Sequence, residues 1–300
     1  MQSKTPDKKA PAGASPAPAA NRTKGILFIL SAAFFFSLMT VFVRLSGDVP
    51  TMQKAFFRNI VAAFLAAFIL MRSGEKFYIP RTSLMDMFLR CSVGTMGILC
   101  NFWAVDHMRI ADANILNKLS PFFAILMSIF ILKERPNRVE WLSVLLAFIG
   151  AAFVAKPGAG IASCPALVAI LGGFTAGTAY TYVRKLGLSG VKGPVIVFSF
   201  SVFSTLILLP NILLNYHPMS VKQFVFLVLA GCSAAIAQLS VTAAYQNAPA
   251  RDISVFDYSQ VVYAAMFGFL LWGEIPDAWS FLGYAIIIGT AFGKWYWMMK

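Results

Sequence analysis

From Gly25 to its C-terminal end, the chain is a succession of long apolar runs separated by short polar breaks. Ten runs stand out, at 25–44, 52–71, 86–105, 113–132, 138–156, 163–183, 193–214, 221–245, 253–272 and 278–297. Each approaches the ~20 mostly apolar residues that a helix needs to cross about 30 Å of hydrocarbon. None shows the strict apolar–polar alternation of a membrane β-barrel strand. The pattern therefore predicts an all-α integral membrane protein of ten transmembrane helices. Residues 1–24 differ: they are rich in Pro, Ala and Lys and have no apolar run, so they predict a disordered cytoplasmic tail. A cleavable signal peptide would need an apolar stretch ahead of its cleavage site, and none is present there.

Composition agrees with this reading. Hydrophobic residues make up 59% of the chain and charged residues 12%, too few charges to cover a soluble domain of this length. The net charge of +13 would fit a nucleic-acid partner, but its distribution argues otherwise. Most Lys and Arg fall in the tails and in alternate loops, on the side that also holds both termini. Arg44, Lys54, Arg109, Lys156 and Lys222 remain on the other side. Such a bias sets topology, with both termini cytoplasmic and a bacterial inner membrane as the expected location. Cys91, Cys100, Cys164 and Cys232 have no metal-type spacing, and His107 and His217 lie in predicted loops, so neither a metal nor a cofactor is expected.

Sliding the chain against itself by 140 residues aligns the ten helices as five pairs. Arg44 meets Arg184, Asp112 meets Asp252, and Glu134 with Pro136 meets Glu274 with Pro276. An odd number of helices per half turns the second half over relative to the first. The duplication thus predicts two inverted five-helix repeats, 25–156 and 163–300, an arrangement that lets a carrier exchange inward- and outward-open states around a central site.

The segment from Arg109 to Phe123, RIADANILNKLSPFF, followed by ILKER at 131–135, resembles the EamA family of the drug/metabolite transporter superfamily, as does FFRN at 56–59. The resemblance covers about residues 25–297. It implies ten helices around a cavity lined mainly by helices three, four, eight and nine, with five and ten peripheral. Two departures set the halves apart: Val261 stands at the repeat position of Pro121, and Phe198 at that of Arg58. The halves are therefore expected to meet a substrate unequally.

Ionisable groups inside a bilayer are costly and mark functional positions. Arg58 and Lys118 each fall in the outer third of a span, where two cations facing a cavity would attract an anion; snorkelling to the interface is the alternative. Asn114, Asn117 and Lys118 recur at i, i+3 and i+4, on one helix face. Asn101, Trp103, Gln238, Asp257, Tyr258, Gln260 and Tyr263 complete the expected substrate-binding set. Counting depth along straight helices separates Lys118 from Asp257 by roughly 15 Å. Arg90 is then the better partner for Asp257, as a structural pair or gate, with proton coupling at Asp257 a further alternative. Gly172, Gly173 and Gly177 predict close packing of helix six, and Pro121 a kink in helix four. Glu134 and Glu274, each two residues before a proline, are expected to organise tight turns.

No nucleophile–base pair or phosphate loop appears, which argues against an enzyme. The expected function is secondary transport of a small solute by alternating access, working with a coupling proton or counter-substrate. An organic anion such as a carboxylate or phosphorylated metabolite leads. An amino-acid or amphipathic metabolite exporter and a non-transporting receptor or scaffold are the alternatives. The chain is expected to act in the lipid bilayer, alone or as a homodimer.

Overall fold

The computed structural model describes residues 21–73, 77–107, 110–155, 164–273 and 275–299, and it is helical throughout these segments apart from turns. Residues 1–20 and Glu274 lie outside the described residues, and Arg22–Lys24 of the expected tail instead form the first turn of α1. The helices are α1 (Arg22–Leu45), α2 (Thr51–Ser73), α3 (Leu84–His107), α4 (Ile110–Asn117), α5 (Ser120–Ile131) and α6 (Arg138–Ala155). The second half follows with α7 (Cys164–Leu188), α8 (Gly193–Leu214), α9 (Val221–Asn247), α10 (Ala250–Ile253), α11 (Ser259–Trp272) and α12 (Ala278–Met299). Local chemistry fixes several starts. Asn21 accepts the Lys24 amide to cap α1, and Ser220 with Gln223 forms a capping box at the head of α9.

Twelve helices make ten spans, because the fourth and ninth are broken. α4 and α5 form the fourth span, interrupted at Lys118 and Leu119; α10, a 3-10 turn over Ser254–Tyr258 and α11 form the ninth. Eight spans, these two included, are long and apolar enough to cross a bilayer, and α6 and α12 complete the ten. The two breaks fall at repeat-related positions, since Asn117 and Asp257 are 140 residues apart.

The first break has a covalent cause. Pro121 has no N–H to offer the Asn117 carbonyl four residues back, and its ring crowds that turn. The expected kink is thus a full interruption just ahead of the proline. Val261 occupies the matching place in the second half, so no proline acts there. Ser254 and Ser259 flank Asp257 in that turn, and the Ser259 hydroxyl donates to the Phe256 carbonyl at 2.7 Å, competing with helical bonding.

Packing displays the inverted repeat directly. α1 packs along α9, and its counterpart α7 packs along α3. α2 faces its own counterpart α8, as α6 faces α12; α5 against α7 matches α11 against α1. The most extensive interfaces are therefore either repeated or self-paired about one pseudo-two-fold axis. Small residues permit the closest approaches: a Cβ on Gly177 would stand 2.5 Å from the Ser120 carbonyl oxygen and 2.7 Å from the Ala124 nitrogen. α7 thus lies against the broken span with backbone nearly touching backbone.

Candidate functional site

Both breaks point into a cavity of about 900 Å³ between the two halves. It reaches the face opposite the chain termini through Thr40, Arg44, Ile275 and Asp277, all exposed. Towards the terminus face, ion pairs between spans close the path. Arg184 Nε stands 3.3 Å from Glu134 Oε1, and its Nη1 also donates to the Tyr245 carbonyl at 3.2 Å. Lys185 pairs with Asp86 at 2.8 Å, Arg22 with Asp252 at 3.0 Å, and Arg251 with Glu140 at 3.9 Å. The cavity thus opens on one face, and these ion pairs link the spans at the other.

Most of the polar residues singled out by sequence line this space. Arg58, Asn101, Asn114, Asn117, Lys118, Gln238, Asp257 and Gln260 do so, together with Arg90. Three others do not. Trp103 stacks on His107, with ring centroids 4.0 Å apart, and Tyr263 meets Phe34 edge-on. Tyr258 is fully buried and donates its hydroxyl to the Lys118 carbonyl at 2.7 Å. That carbonyl sits at the break in the fourth span, so Tyr258 supplies a bond that the helix cannot supply there. Repeat counterparts thus meet across the axis, Tyr258 against the main chain of Lys118.

Charge pairing overturns the depth argument. Lys118 Nζ lies 2.9 Å from Asp257 Oδ2 and 2.6 Å from Gln260 Oε1, and both partners of the ion pair are mostly buried. Straight-helix counting fails for two reasons: both spans begin about three residues earlier than their apolar runs, and a 3-10 turn rises faster than an α-helix. Lys118 then lies about 12 Å in from one face and Asp257 about 12 Å in from the other, of roughly 30 Å in all. The long lysine side chain covers the remainder.

The expected Arg90–Asp257 pair consequently does not form. Arg90 is 2% exposed and lies over the Phe200 ring at 4.1 Å, with its Nε hydrogen-bonded to no protein atom. Gly94, one turn further along α3, leaves room for this guanidinium, which any β-carbon there would strike. Arg58 lies 5.9 Å from the Phe36 ring. Tyr180 is close enough to interact electrostatically with both arginines. Two further cavity groups, Asn101 Oδ1 and Gln238 Nε2, are buried without a protein partner. Arg90 Nε, Asn101 Oδ1 and Gln238 Nε2 thus belong to cavity-lining residues and have no protein partner.

The halves contribute unequally, as expected from Phe198. Phe198 lies away from the cavity, against Phe77 and in an apolar groove between α2 and α8. The lining is wider than the resemblance implies: the first and sixth spans contribute Phe36, Met39, Ala176 and Tyr180, whereas the eighth contributes Gln238 alone. The fifth and tenth spans pack on each other at Gly150 and Gly283, yet reach the cavity through Val154 and Tyr284. Sequence reading passed over Phe36, Phe102 and Phe200, because an apolar residue in an apolar run carries no signal of which face it takes.

Comparison with known proteins agrees with this architecture. The EamA-like transporter family model matches twice, over residues 23–156 and 164–294, once for each half. The pseudopaline exporter CntI of Pseudomonas aeruginosa is 30% identical over 88% of this chain and 93% of its own length. A riboflavin transporter of Vibrio cholerae is 24% identical over 88% of this chain and 90% of its own. One crystal structure shares the fold with a TM-score of 0.80 at 16% identity, covering 90% of this chain and 96% of its own. The cavity belongs to a membrane transporter of small metabolites, not to an enzyme, and the chain is a member of the EamA-like transporter family.

Proposed function

We propose that this protein is a secondary carrier of a small organic anion, a carboxylate or phosphorylated metabolite, working by alternating access. One observation carries the reading: Arg58 and Arg90 face the cavity, and among the described residues neither has a carboxylate partner. Guanidinium groups stay protonated and match carboxylate and phosphate oxygens in a two-pronged geometry. The apolar remainder of the wall suits a carbon skeleton.

Charge distribution supports placing both termini in the cytoplasm, and the bacterial relatives support an inner membrane. On that topology the present conformation is outward-facing, and the terminus-side ion pairs form the closed inner gate. A second reading, export of a larger amphipathic metabolite, is favoured by the cavity volume and by the relative named as an exporter. There the arginines would hold one acidic group of a larger molecule.

The test is exchange by purified protein in liposomes, with labelled succinate, glycerol 3-phosphate, glutamate, lactate and riboflavin. Saturable anion exchange, lost in Arg58→Ala and Arg90→Ala but kept in a Lys222→Ala surface control, supports the reading. Movement of neutral or cationic solutes alone, unaffected by those changes, overturns it.

A further inference from the structure

We infer that the cavity is matched to a doubly charged anion and that the carrier cycles only by exchange, never returning empty. This rests on the anion reading above and goes further, to the charge of the substrate and the kinetic rule that follows. It comes from the charges on the wall. Four ionised groups line the deep cavity: Arg58, Arg90, Lys118 and Asp257. Lys118 and Asp257 neutralise one another at 2.9 Å, and the ammonium donates a further hydrogen bond to Gln260 Oε1 at 2.6 Å. Arg58 and Arg90 have the faces of Phe36 and Phe200 beside them and, among the described residues, no carboxylate partner. At the mouth, Arg44 and Asp277 bring one charge of each sign and leave the balance unchanged. The empty site therefore carries two positive charges.

An arginine cannot relieve that burden by losing its proton, as a lysine or histidine could. Water in the open cavity solvates Arg58, which is half-buried, and meets Arg90, 2% exposed, only where its guanidinium lines the wall. Moving to the opposite state requires the open side to close over the site and expel that water. Leaving one unpaired guanidinium in such surroundings slows a step by roughly a hundredfold, and two in one cavity also repel each other. A monoanion neutralises half of the excess. A dicarboxylate or a phosphate monoester neutralises all of it, with oxygens enough for both guanidiniums and the Tyr180 hydroxyl nearby. Closure is then conditional on occupancy by a dianion, in both directions. The neutral Lys118–Asp257 bridge stays intact throughout and ties the broken span of one half to that of the other.

The experiment uses the full chain in liposomes preloaded with labelled succinate, with the membrane potential clamped. Efflux is followed into three media, containing chloride alone, external succinate or external lactate, and the series is repeated with glycerol 3-phosphate. External dianion is expected to accelerate efflux at least about tenfold over chloride alone, and lactate to give little acceleration. Arg58→Gln leaves one excess charge, so it is expected to shift preference from succinate towards lactate; Arg58→Lys keeps the charge and the preference. Efflux into chloride as fast as exchange, or equal acceleration by lactate, overturns the inference while leaving an anion carrier. Failure of the wild-type protein to move any anion overturns the anion reading and this inference with it. The wild-type comparison decides the exchange rule even where a variant does not fold.

Discussion

The Lys118–Asp257 bridge joins the two halves at their breaks, and removing one partner should cost more than removing both. Asp257→Ala leaves the ammonium with Gln260 Oε1 at 2.6 Å and a longer contact to the main-chain carbonyl at 3.5 Å. Lys118→Met leaves the carboxylate among Tyr180, Tyr245 and Tyr258, with no cation in its place. An exposed ion pair contributes about 0–1 kcal/mol, and breaking a fully buried one costs about 3–5 kcal/mol. Both side chains here are 16% exposed, towards the cavity, so each single change should cost about 2 kcal/mol. The double variant Lys118→Met/Asp257→Leu leaves no orphaned charge and should recover about 1–2 kcal/mol of the summed loss. Equilibrium unfolding in mixed detergent micelles, run on all four proteins as a double-mutant cycle, measures that coupling. Additivity to within about 0.5 kcal/mol would refute the bridge as a structural link between the halves.

Other residues give sharper separations between binding and structure. Tyr258→Phe removes the donor to the Lys118 carbonyl and should destabilise by about 1–3 kcal/mol while leaving KM for the anion unchanged, as thermal unfolding and transport assays on one preparation would show. Trp103→Ala, off the cavity, should likewise leave KM unchanged, in contrast to Asn101→Ala two residues away; a raised KM for Trp103→Ala would place it at the site after all. Gly177→Val would drive a side chain into the backbone of the broken span, costing about 3 kcal/mol or more, and folded protein recovered at wild-type yield would contradict that packing.

How much of this was legible in the sequence follows from what each signal depends on. The ten spans rest on hydropathy and length, which the bilayer enforces one segment at a time, and they survive almost unchanged. The inverted repeat was legible in Glu134 and Glu274 with their prolines, because polar matches at span ends rarely recur by chance. The ends and interruptions of helices were not. α4 and α10 begin within polar sequence ahead of the apolar runs, and the ninth span unwinds over Ser254–Tyr258 with no proline to announce it. That error of a turn at each end moved Lys118 and Asp257 from apart to bonded, and released Arg90 to face the cavity alone. Facing was legible for Asn114, Asn117 and Lys118, whose spacing places them on one stripe. It was not for Trp103, Tyr258 and Tyr263, since an aromatic side chain serves equally as lining, strut or packing.

The ion pairs at the terminus face and the opening at the opposite face describe one state of a two-state cycle, and reaching the other face is what makes the cavity a carrier's. The direct measurement is labelling of Val261→Cys, on the cavity wall one turn beyond Asp257, in a protein whose four native cysteines are replaced. A membrane-impermeant thiol reagent is applied from each side of oriented vesicles. Label should enter from the face opposite the termini in the otherwise unchanged protein. With Glu134→Gln weakening the Arg184 pair of the seal, or with dianion on both sides, label should also enter from the terminus face. Access from one face only, under every condition in which anion exchange is observed, would contradict alternating access.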